Sequence, residues 1–115
     1  MNLDTAVAAH AQWKTKFRAA IDRKEQLDAA TIAKDNCCEL GKWLHSEGKV
    51  SLGSKPEFLT LLSRHKEFHN EAGKVAATIN GGKYNDANTM IGAGSTFSNA
   101  STQVGIAIGA LKKVA

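Results

Sequence analysis

Proline occurs once, at Pro56, and apolar residues recur at spacings of three and four almost throughout, so little breaks a helix and little alternates as a strand would. No apolar run approaches the ~18 residues of a membrane span, so no membrane contact is expected. The opening stretch MNLDTAVAAHAQWK has no basic leader followed by an apolar core, which excludes a secretory signal there and points to a cytoplasmic address. Cysteine is scarce as well. Cys37 and Cys38 are neighbours, a poor disulfide framework because a bridge between adjacent residues is strained, so they read as ligands or reactive thiols. The net charge of +4 is mild, and its lysines are scattered without a basic stripe or interleaved aromatics. Nucleic acid is therefore not an expected partner.

What is present reads as one domain over residues 1–115, with 43% hydrophobic and 23% charged residues. A first helix is expected from about Leu3 to Arg23, with Leu3, Ala6, Val7, His10, Trp13, Phe17, Ala20 and Ile21 on one stripe. Lys24 to Asn36 reads as a polar connection with room for one helical turn at Ala29 to Ala33. A short helix is expected to start at Asn36 as N-cap, with Glu39 completing a capping box and Cys38 in the first turn, and to end near Gly48. Pro56 suits the opening turn of a third helix that Gly81-Gly82 stops after Asn80. Phe58, Leu62, His65, His69, Ala72, Ala76 and Ile79 form its buried stripe. A fourth helix is expected from about Tyr84 to Val114 on the heptad of Met90, Gly94, Phe97, Ser101, Val104, Ile108, Leu111 and Ala115. Its many small and polar residues leave it dependent on packing. The fold class is all-α, an antiparallel four-helix bundle with one short helix carrying Cys38.

Three of the four histidines, His10, His65 and His69, fall on buried stripes. Burying an unpartnered polar group costs roughly 1–3 kcal/mol, and the stripes offer few polar partners. A cation satisfies all three. His65 and His69, at i and i+4, point toward one locus, and His10 adds a donor from a neighbouring helix. Cys38 near a helix start is placed where the dipole and free N–H groups favour a thiolate. Three imidazoles and a thiolate match zinc, with no oxygen cage for magnesium or calcium.

Other chemistries fit less well. A zinc protease needs glutamate directly after the first histidine, and that position is Lys66, while Glu67 points elsewhere. A di-iron bundle needs inward carboxylates that the stripes lack. His45, seven residues from Cys38, is a candidate substitute ligand or phospho-acceptor, though a surface histidine is the simpler reading. Cys37 could replace Cys38 but is expected to pack beside Leu40 and Leu44. The sequon at Asn99 reads as a chance match. An open-site metal-dependent hydrolase and a plain helical interaction module remain the rival functions.

The segments AHAQWK around His10, CELGKWL from Cys38, and HKEFH at 65–69 resemble, in order and separation, the chemoreceptor zinc-binding (CZB) domain family. The pattern Cys38-x-Leu40-Gly41-x-Trp43 is the most distinctive part. The resemblance implies a bacterial four-helix-bundle domain, usually a homodimer, that holds one zinc through His10, Cys38, His65 and His69. It implies regulation of chemoreceptors or diguanylate cyclases, in cis or in trans, in response to zinc or to oxidants at the cysteine. A closed four-coordinate site leaves no vertex for water or substrate, so no catalysis is expected.

Overall fold

A computed structural model describes residues 1–115. The chain folds into helices and turns without a strand: α1 (Leu3–Ala11), α2 (Trp13–Arg23), α3 (Ala29–Ile32), α4 (Glu39–Leu44), α5 (Glu47–Leu52), α6 (Pro56–Asn80), α7 (Tyr84–Met90) and α8 (Thr96–Val114). The helix α6 is the spine. It packs against α8 along its length and against α2, α3 and α7, while α1 lies on α8.

The sequence explains these bounds. Pro56 at the first position of α6 gives up an N–H that would have no intrahelical partner. Ser95 caps α8 by accepting the Ser98 N–H at 3.1 Å, and Asn2 caps α1 by accepting the Thr5 N–H at 3.1 Å. The long first and fourth helices expected from periodicity are each divided. Gln12 interrupts the first with its backbone still in the right-handed region, φ −74° and ψ −16°. Residues 91–95 interrupt the fourth, because Gly94 adopts φ +80° and Ser95 caps a new helix. The short helix expected to reach Gly48 is likewise split between α4 and α5.

Phe17, Phe58, Phe68, Leu40, Leu44, Leu61, Ile79, Ile91, Ile108 and Leu111 fill the core, each contributing about 1.5–3 kcal/mol by burial. On α6 the buried face is wider than a single stripe, taking in Leu61, Phe68 and Val75 because neighbours flank it on several sides. Val7, expected inside, is 37% exposed.

Two glycines bring backbone close to the region of the histidines. A Cβ on Gly41 would lie 1.8 Å from the Asp35 carbonyl oxygen, so the turn before α4 is seated directly on that helix. A Cβ on Gly73 would lie 2.5 Å from the Ala33 Cβ, so only glycine lets α3 approach α6 this closely.

Candidate metal centre

His10, His65 and His69 are the buried polar side chains of the protein, at 5%, 0% and 2% exposure. Two of the three rings are held by backbone carbonyls. On α1, the His10 Nδ1–H donates to the Ala6 carbonyl one turn back, at 2.9 Å, leaving Nε2 facing inward, buried and without a protein partner. On α6, the His69 Nδ1–H donates to the Ile32 carbonyl at the end of α3, at 2.8 Å, which fixes a tautomer with a free lone pair on Nε2. His65 Nε2 lies 3.1 Å from His69 Nε2, and its Nδ1 is buried without a partner.

Cys38 closes the group. Its residue is the N-cap of α4, with Sγ accepting the Gly41 N–H at 3.3 Å. This corrects the expected Asn36 cap by two residues: the sulfur itself takes the role of a capping oxygen, helped by the close seating that Gly41 allows. Sγ lies 3.2 Å from His65 Nε2 and 3.5 Å from His69 Nε2.

One donor atom from each of His10, Cys38, His65 and His69 lies within 4.8 Å of all the others. A tetrahedral zinc ion, with Zn–N of about 2.0–2.1 Å and Zn–S of about 2.3 Å, sets separations of about 3.4 Å between nitrogens and about 3.5 Å between nitrogen and sulfur. The three separations among Cys38, His65 and His69, of 3.1, 3.2 and 3.5 Å, lie within about 0.3 Å of those figures. The His10 Nε2, buried and unpartnered, is available as a fourth donor.

The electrostatics favour neutral donors. Burial, then the neighbouring His69 and His10, push His65 down to about 2. Burial also lowers His10 and His69, each partly offset by its backbone hydrogen bond. Imidazoles that stay neutral present lone pairs to a cation. Cys38 departs from the expectation of a thiolate favoured by the helix start. Burial raises it, and this outweighs the Gly41 N–H that lowers it. A cation bound among the imidazoles is what would restore the thiolate.

The surrounding wall is apolar. The Phe68 ring lies 5.2 Å from His10, 5.3 Å from His69 and 5.4 Å from Phe97, centroid to centroid, and keeps water and dielectric low on one side. Spacing alone did not single out Phe68, although it is the fourth residue of HKEFH. Nor did it single out the Ile32 carbonyl, because a backbone group leaves no mark in the residue types. His45 lies outside the group, exposed and 3.2 Å from Asp35 Oδ2. Cys37, expected beside Leu40 and Leu44, is instead exposed, with Sγ 3.5 Å from Asn36 Oδ1. Glu67 pairs with Arg64 on the surface at 3.3 Å.

No helix is long and apolar enough to cross a membrane. No curated protein and no solved structure matches the chain. The chemoreceptor zinc-binding domain, CZB, matches residues 10–76. That match covers more than half of the sequence and runs through all three segments that carry the converging donors, and on it the protein belongs to the chemoreceptor zinc-binding domain family.

Proposed function

We propose that His10, Cys38, His65 and His69 bind one zinc ion per chain. The protein is then a sensory and regulatory domain of bacterial signalling, acting on chemotaxis or cyclic di-GMP output in response to zinc or to oxidants at Cys38. One observation carries the reading: a buried His10 ring whose Nε2 has no protein partner stands, with donor atoms within 4.8 Å, beside two other imidazoles and a sulfur that are 3.1–3.5 Å from one another. Zinc bound there supplies a cross-link among α1, α4 and α6. The chain's own groups do the positioning. The Ala6 and Ile32 carbonyls hold two rings in the required tautomer, and the Gly41 N–H steadies the sulfur.

Four protein donors leave no vertex for water or substrate, which favours a sensory role over the open-site hydrolase. The segment most dependent on the cross-link is α1. From the sequence, the short cysteine-bearing helix is expected to come free first, as the one with the least apolar surface to hold it, but α4 buries Leu40 and Leu44, whereas α1 buries only Ala6 and His10. Signal would pass from the site to a partner through the bundle. A second copy in a homodimer, a chemoreceptor or an output domain in cis or in trans would be that partner. Elemental analysis of the purified protein beside His65→Ala and Cys38→Ala tests the reading. One zinc per chain, lost or sharply weakened in both variants, supports it. Equal zinc in all three, or none in any, refutes it.

A further inference from the structure

Cys37 has no part in the site just described, yet its placement beside Cys38 gives it one chemical capability. Its thiol is exposed and donates one hydrogen bond, to Asn36 Oδ1 at 3.5 Å, so a solute can reach the sulfur. The half-buried Cys38 Sγ is by contrast engaged with the Gly41 N–H and two imidazoles. Both cysteines line one crevice of about 160 Å³, bounded by Trp13, Ile32 and His69, so a small solute that reaches one sulfur has reached the other. The peptide joining them lies outside helix and strand, and none of residues 35–38 donates a backbone–backbone hydrogen bond.

We infer that Cys37 and Cys38 form a reversible two-cysteine oxidation site whose substrate is hydrogen peroxide, with Cys37 the sulfur oxidised first. Cys37 Sγ attacks one peroxide oxygen, the O–O bond breaks, and Cys37 becomes a sulfenic acid as water leaves. Cys38 Sγ then attacks the Cys37 sulfur. The S–O bond breaks, its oxygen leaves as water after taking a proton, and a Cys37–Cys38 disulfide remains. Two thiols have lost two electrons, and the peroxide has taken them to become two waters. Adjacent Cα atoms lie about 3.8 Å apart across a trans peptide, below the usual span of a disulfide, so the bridge is strained and readily reduced. Its formation removes two interactions together, because the same Cys38 sulfur is both the cap of α4 and a donor to the histidine cluster. The inference rests on the zinc reading only for its consequence, metal release; the disulfide itself does not require zinc.

The experiment treats the zinc-loaded protein and Cys37→Ser with hydrogen peroxide, following intact mass, peptide linkage and zinc released to a chromophoric chelator. The expected result is a loss of two hydrogen masses mapped to a 37–38 link, with release of zinc that a reductant reverses. Cys37→Ser should keep its zinc over the period in which the native chain loses it. Release from Cys37→Ser at the native rate, or an oxidised native chain with oxygen added at Cys38 and no 37–38 link, overturns the inference. Should the untreated protein hold no zinc, the zinc reading fails, and the mass and linkage still decide this one.

Discussion

Gly73→Ala tests how the second helical layer supports the site, because its consequence can be worked from distances. The new Cβ would lie 2.5 Å from the Ala33 Cβ, whereas carbon atoms settle at about 3.5–4.0 Å. Relief requires α3 to withdraw from α6 by roughly 1 Å or more. The His69 Nδ1 to Ile32 carbonyl bond, now 2.8 Å, spans that same gap. Lengthened by this amount it would pass beyond about 3.2 Å and cease to be a hydrogen bond. Overpacking of this sort costs about 1–3 kcal/mol of stability, and loss of a partner that orients a ligating histidine costs about 10–100-fold in metal affinity. Thermal melts and zinc competition against a chromophoric chelator read the two effects separately. Gly105→Ala is the control: its Cβ would meet nothing within 4 Å on α8, so it should stabilise by about 0.5–1 kcal/mol and leave zinc affinity unchanged. Ala33→Gly combined with Gly73→Ala should restore part of the affinity. Zinc affinity in Gly73→Ala equal to that of the native chain would refute the role assigned to α3.

Phe68→Ala should cost about 3–5 kcal/mol in chemical denaturation, since the ring is wholly buried between the histidines and Phe97. Ser95→Ala should cost about 1 kcal/mol by removing the cap of α8, with zinc content unchanged in elemental analysis. In the metal-free chain, burial holds the three histidines below their ordinary 6.5, with His65 at about 2. The unfolded chain therefore binds more protons once pH falls below about 6.5. Stability should be full above that pH and decline as pH drops toward 2; denaturation midpoints that stay level from pH 7 to 5 would contradict it. Removing zinc with a chelator should raise hydrogen exchange first in α1, whose buried side chains are Ala6 and His10, and less in α4.

Much of this was legible in the sequence where one strong local signal stood alone. Pro56 and the Gly81-Gly82 pair bracket α6 to the residue, and the four-three spacing placed His65 and His69 inside. Where local signals compete, the sequence misled. The heptad through Met90, Gly94 and Phe97 continues across residues 91–95, but two glycines and a capping serine there outweigh it. The Gln12 interruption has no Gly or Pro to announce it. Tertiary proximity was the least visible part. Ile32 holds His69 through a carbonyl, Gly73 matters for what it lacks, and Cys37 turns out exposed rather than packed beside Leu40 and Leu44. The CELGKWL pattern gains a physical account from the same contacts: Gly41 admits the Asp35 carbonyl, and Trp43 packs on Phe58 at 6.3 Å between centroids.

X-ray absorption at the zinc edge tests the central claim most directly, because it counts the atoms around the metal whatever the signal proves to be. The account predicts three nitrogens at about 2.0–2.1 Å and one sulfur at about 2.3 Å, with no oxygen. A shell without sulfur, or one that includes a water oxygen, would contradict it.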